Sequence, residues 1–345
     1  MKSLRWQTFV LLLMSSLMGR AQSSSVLDSV QFFIDEKPVD VTLKMDMKYL
    51  MGEKPQGTNS IPGTITMKLS DTSTVTEDIR VNTRGHMRRE TCYIPPIRLY
   101  FRNASSPKLS PLHTLKLIVT CKTGTEYEQY LLKEFLCYKI YNLVSEKSFR
   151  ARLLHVTYED SKGKKKPFTS YAFLLESTDA LAKRSHCKEY KLSGLATEMT
   201  DRKQMTMVAV FEYFIANTDW AVPVRHNIVL LKNKKDSTIR PYAVGYDFDY
   251  AGLVNTDYAI PDPKLEIENV TTRLYRGFPR TTAELDEVFK VFVDQKNNIY
   301  NLIKNFEPLS VHNKKDMIDY LDDFYKTIND KVLIKDIFID NARKE

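Results

Sequence analysis

The chain has 345 residues and a mass of 40.1 kDa, with 43% hydrophobic and 27% charged residues, 11 Gly and 14 Pro. This composition excludes a disordered polymer, a collagen-like rod and a multi-span membrane protein. The formal charge is +8, but three of the basic groups, Lys2, Arg5 and Arg20, fall in the first 21 residues, which hold no acidic group; the remaining excess is too small to imply a nucleic-acid partner. A chain of this length forms one large domain or two intimate lobes and buries a core without disulfide or metal staples.

Lys2 and Arg5 precede an apolar run from Phe9 to Met14 that continues to Met18, and Gly19-Arg20-Ala21 supplies small residues where a signal peptidase cuts. The pattern predicts a cleaved secretory signal over residues 1–21. The run is shorter than the roughly 18 apolar residues of a spanning helix, and no Cys follows it to carry a lipid. The expectation is therefore an exported protein, periplasmic, envelope-bound or secreted, with no membrane span after cleavage. Cys92, Cys121, Cys137 and Cys187 match no zinc spacing. Bridges and buried free thiols both remain open for them.

From about residue 28 to 120 the pattern is two-residue alternation: Val39 to Met47, Ile65 to Leu69, Ile97 to Phe101 and Leu115 to Val119, separated by turn-rich stretches such as Glu53 to Gly63. Residues 126–144 switch to helical spacing, and strands follow at 153–158 and 170–175. Beyond about 178 the spacing is mainly helical, broken by a hairpin at 227–231 and 241–246. The basic run Lys162 to Lys166 contains Gly163 and reads as a solvated turn. This divides the chain into the signal (1–21), a sheet-rich N-lobe (22–176) and a helical C-lobe (177–345).

The strongest local signals are NTDWAVPVRHN at 217–227 and GYDFDYAG at 245–252. An antiparallel hairpin brings its open ends together, so Asn227 at its entry and Asp247 at its exit are expected to be neighbours, with Asp219 in the loop leading in. A carboxamide with Asp219, Asp247 and Asp249 forms a hard oxygen-rich set suited to Mg²⁺ or Mn²⁺ shared with substrate phosphates. In the other half, Lys116 sits inside the apolar strand LKLIV, and Glu134 interrupts the apolar stripe Tyr127, Leu131, Tyr138, Tyr141 of the following helix. A carboxylate placed there is costly unless paired, which predicts an ion pair between Lys116 and Glu134. Arg273, Arg276 and Arg280 are candidates for reading an anionic acceptor, or for solvating a helix end. His86 and His226 have no third partner in view and read as structural.

A strand Lys, a helix Glu, a hinge-like SYAFLLES at 170–177, a loop Asp followed by Asn, a strand pair and then Asp-Phe-Asp stand in the order of protein-kinase-like folds. The chain most resembles the spore-coat CotH kinase family of atypical secretory-type kinases, through Arg84-Gly85, Tyr171 to Glu176 followed by Thr178-Asp179, the Asn-x-Asp loop and the Asp-x-Asp motif, spread over residues 78–252. The resemblance implies an α+β, bilobal protein-kinase-like fold, with an antiparallel-sheet N-lobe holding one long helix and a mainly helical C-lobe. It implies Asp219 as the base or positioning carboxylate for an acceptor hydroxyl, and Asn227 and Asp247 as metal ligands, with Asp249 a competing candidate for the same role. Lys116, Glu134, Arg84 and Glu176 would serve the nucleotide. There is no Gly-x-Gly-x-x-Gly loop, which leaves RGHMRR at 84–89 as the candidate phosphate cover. The implied function is ATP- and Mg²⁺-dependent phosphoryl transfer to a protein or glycan hydroxyl. Two alternatives stand beside it: an inactive binding or surface-assembly module, and a metal-dependent phosphoester hydrolase.

Overall fold

Alternation over β1 (Val39–Met45) turns Val39, Val41, Leu43 and Met45 inward and leaves Asp40 and Lys44 outside. The same rule places Ile65 and Met67 of β2 (Ile61–Ser70), Ile79 and Val81 of β3 (Ser73–Thr83), Ile97 and Leu99 of β4 (Ile97–Tyr100) and Leu115 and Leu117 of β5 (Thr114–Val119) in one core. The protein is described here by a computed structural model covering residues 32–34, 37–70, 72–85, 87–102 and 104–344. The predicted signal segment and His86 lie outside the described residues.

With β6 (Ala151–Asp160) and β7 (Phe168–Leu175) these strands form a closed barrel in the order β1-β2-β3-β4-β5-β7-β6. Neighbours pair antiparallel except at the seam, where β1 runs parallel to β6 and sets Val39 opposite Leu154 and Met45 opposite Asp160. The expected bilobal protein-kinase-like fold with an antiparallel-sheet N-lobe is therefore not what the chain forms. Alternating polarity is the same for a parallel and an antiparallel neighbour, so the closing pair left no mark that sequence reading could use.

β6 and β7 carry apolar side chains on both faces because each face meets a different core. Leu154, Val156, Ala172 and Leu174 fill the barrel, whereas Ala151, Leu153, Phe173 and Leu175 face outward onto a helix and the helical half. That helix, α3 (Thr125–Val144), follows α1 (Met47–Glu53) and α2 (Met87–Thr91) in the chain. It is buried nearly all round from Leu131 to Tyr141, since it lies between the barrel wall and the remaining helices. Those helices are α4 (Thr178–Arg184), α5 (Arg202–Phe214), α6 (Thr282–Lys304), α7 (Val311–Ile328) and α8 (Lys331–Lys335). A small antiparallel sheet of β8 (Cys187–Glu189), β9 (Ile228–Asn233) and β10 (Tyr242–Gly245) packs with them.

Cys92 and Cys121 are joined by a disulfide that ties the end of α2 to the chain leaving β5, next to the bond from Tyr93 N–H to the Cys121 carbonyl at 2.8 Å. Cys137 and Cys187 are free and buried. No helix among the described residues is long and apolar enough to cross a membrane.

Candidate functional site

The hairpin forms as its spacing predicts. Gly245 stands opposite Ile228, and the Tyr246 N–H donates to the Asn227 carbonyl at 3.0 Å, so Asn227 and the residues leading to Asp247 meet at the open end. Asn227 (φ 51°) and Asp247 (φ 69°) both adopt left-handed backbone, a conformation that Asn and Asp tolerate better than most residues and that gathers at functional sites. The Asp247 N–H donates to Tyr138 Oη at 2.8 Å, which fixes the motif against α3.

Asp219 sits on the loop between α5 and β9, and its carboxylate is held on two sides. Asn227 Nδ2 donates to Oδ2 at 2.9 Å and to the Asp219 main-chain oxygen at 2.7 Å, while His226 Nε2 lies 2.7 Å from Oδ1. His226 therefore has the partner that sequence alone did not show. Behind the loop, the Asp219 N–H donates to Asn217 Oδ1 at 3.1 Å, and Asn217 Nδ2 donates to Glu212 Oε2 at 3.0 Å. Glu212 lies in the core at 1% exposure, and burial pushes its carboxyl up to about 8, against the Asn217 hydrogen bond.

The expected pair between Lys116 and Glu134 is not made among the described residues. Lys116 is on the outer face of β5, with Nζ over the Tyr246 ring at 4.5 Å. Burial, then the nearby Arg84, lowers it to about 8. Glu134 looks instead toward Asp249, Asp247, Arg88 and Arg84. Burial and the two aspartates hold its carboxyl well above the usual range, and Oε1 is buried with no partner among the described residues. The helix carries Glu134 to the arginines of the 84–89 segment, and the strand lysine leans on an aromatic ring.

Arg88 joins the two halves of the site. Nη2 donates to the Val119 carbonyl at 2.8 Å, and Nη1 pairs with Asp249 Oδ2 at 3.3 Å, an oxygen that also accepts from Tyr258 Oη at 3.2 Å. Burial, followed by the charge of Asp247, raises the Asp249 carboxyl to about 6. Nε of both Arg84 and Arg88 is buried without a partner among the described residues. Glu176 is elsewhere engaged: its carboxylate takes Arg184 Nε at 2.9 Å and Nη2 at 3.0 Å and accepts from the Arg150 N–H at 3.1 Å.

Arg273, Arg276 and Arg280 are internal clamps. Arg273 stacks on Tyr320 at 3.8 Å and donates to the Tyr320 carbonyl at 2.6 Å. Arg280 is buried and pairs with Glu198 at 2.6 Å. Arg276 Nη1 donates to the carbonyls of Thr218 and, at 2.8 Å, Trp220, the residues that flank Asp219. Sequence reasoning also missed Tyr138, Tyr258 and Glu212. A buried Glu in VFEYF beside Asn217 was the available signal for the last of these.

Among the described residues no three His, Cys, Asp or Glu side chains are grouped to hold a metal ion. The donors fit a looser arrangement, in which one or two carboxylates share a hard cation with water and phosphate oxygens: Asp247 and Asp249 repel each other, and Glu134 Oε1 lacks a partner. No protein-family model matches the chain, and no curated protein matches it.

Proposed function

We propose that this protein is an exported phosphotransferase of the CotH-like kind, which binds ATP with Mg²⁺ or Mn²⁺ and transfers phosphate to a protein or glycan hydroxyl. The reading rests on local chemistry, since the fold is not the one the resemblance implied. The observation that carries it is the convergence of three buried or half-buried cations, Arg84, Arg88 and Lys116, with Asp247 and Asp249. Cations of this kind suit the oxygens of a polyphosphate. Asp247, with Asn227 and Asp249 beside it, would hold the metal, which when bound neutralises phosphate charge. Asp219, 38% exposed and steadied by His226 and Asn227, would accept the hydroxyl proton. The Cys92–Cys121 bridge supports an oxidising compartment.

A second reading, an inactive binding module, is favoured by one observation: the Asp249 carboxylate is committed to Arg88 and Tyr258. A thermal-shift titration with ATP, with and without Mg²⁺ or Mn²⁺, separates the two. A ligand that binds only the folded state raises the midpoint as its concentration passes its Kd. The phosphotransferase reading expects a metal-dependent shift that Asp247→Ala removes, followed by phosphate transfer to an added acceptor. No shift at millimolar ATP overturns it.

A further inference from the structure

A cleft of about 530 Å³ opens between the end of α3, the start of β6 and the end of α4. Its walls bring together Lys147, Arg150, Arg184 and His186 with Ser145 and Ser148, and the acidic side chain among them, Glu146, is exposed to solvent. The buried carboxylate beside these cations is Glu176, and Arg184 takes both of its oxygens, at 2.9 and 3.0 Å. The rest of the Arg184 fork donates to the carbonyls of Glu146 and Ser148. Arg150 is left over. Its N–H reaches Glu176 at 3.1 Å, but its Nη1 is buried with no hydrogen-bond partner among the described residues. Lys147 Nζ lies over the Tyr242 ring at 4.3 Å and meets no carboxylate among the described residues.

A buried charged donor without an acceptor is unfavourable. A second guanidinium in the same cleft adds repulsion, and the Arg150 pKa is lowered by burial and then by Arg184. A tetrahedral oxyanion removes both penalties, because it offers several acceptors to an arginine fork and a charge to a lysine. The volume falls within the roughly 300–1,000 Å³ of small-ligand sites, which leaves room for an organic portion beyond the anionic group. We propose that this cleft is a second binding site, specific for a phosphomonoester, with Arg150 and Lys147 as the principal anion contacts and the Ser145 hydroxyl, which only accepts from Gln204 Nε2 at 3.4 Å, as a neutral donor. It shares no lining residue with the site assigned to nucleotide, so it does not depend on that assignment.

The test is isothermal titration of the full chain at low salt with inorganic phosphate, glucose 6-phosphate and a phosphoserine peptide, in wild type and in Lys116→Met, Arg150→Gln and Lys147→Gln. The expected result is binding that survives Lys116→Met and weakens at least about tenfold in Arg150→Gln and in Lys147→Gln. Tighter binding of the sugar phosphate or of the peptide than of free phosphate upholds the proposal and names the source of the group. Equal affinity in wild type and both cleft variants overturns it, as does no heat at 10-fold millimolar excess, roughly the weakest affinity worth a site. Should Arg150→Gln fail to fold, the half-buried Lys147 carries the test alone.

Discussion

The Arg88 guanidinium and the Asp249 carboxylate meet at 3.3 Å, one on the helix that follows β3 and the other on the loop that leaves β10. With the Val119 carbonyl on the same guanidinium, this contact fastens the barrel wall to the helical half at the candidate site. Arg88→Met leaves Asp249 without its paired cation and Glu134 with Arg84 alone, and is expected to destabilise the fold by about 3 kcal/mol. Adding Asp249→Asn should restore part of that loss. Urea unfolding of Arg88→Met, Asp249→Asn and the double variant measures both, and additive losses would show that the pair is not coupled.

Glu212 sets a pH dependence. Its folded pKa is raised to about 8 from an ordinary value of 4.5, so the folded chain holds a proton that the unfolded chain releases. Its contribution is fully present below about pH 4.5 and is lost as pH rises through 8. Glu212→Gln mimics the protonated form. The variant is expected to match wild type near pH 5 and to exceed it by a few kcal/mol near pH 9. Denaturation curves at the two pH values check this, and parallel pH profiles would count against it.

Gly245 lies against the same carboxylate. A Cβ on it would fall inside contact distance of Glu212 Oε1, although its backbone is not left-handed. Gly245→Ala is expected to destabilise the fold by about 2 kcal/mol through this steric conflict. Its combination with Glu212→Ala should lose most of that increment in a double-mutant cycle.

Arg276 brackets Asp219 without touching its carboxylate, through the carbonyls of Thr218 and Trp220. Arg276→Met should cost about 2 kcal/mol by leaving two acceptors unmet. If phosphoryl transfer is the activity, it should lower kcat while leaving nucleotide affinity nearly unchanged. An equal loss in both would place Arg276 in the binding site instead.

The Cys92–Cys121 bridge closes a separation of 29 residues. The Cys92→Ala, Cys121→Ala double variant should lose about 3 kcal/mol. Unchanged melting on reduction of the wild type would show that the bridge is dispensable.

The alternating strands, the long helix and the hairpin were legible because each declares itself through local spacing. β3 was not. Its inward position Glu77 is buried and holds the N–H groups of Ser105 and Ser106 at 2.8 and 2.6 Å, which interrupts the apolar alternation. The Asp219, Asn227 and Asp247 grouping followed from hairpin topology. The partners of Glu134 did not, because a single sequence shows that a buried carboxylate needs a cation without showing which of several nearby cations reaches it.

Barrel closure also sets an order of events for a chain made from its N-terminus. β1 lacks its second neighbour until Asp160 has emerged, because Met45 pairs with Asp160 across the parallel seam. Until then β1 presents unpaired backbone groups along one side, an invitation to foreign strands. Once the seam forms, the barrel offers no open strand, and among the described residues the small β10-β9-β8 sheet keeps the remaining edges. A holdase that shields residues 39–45 during synthesis or transport would act on the interval between these two moments.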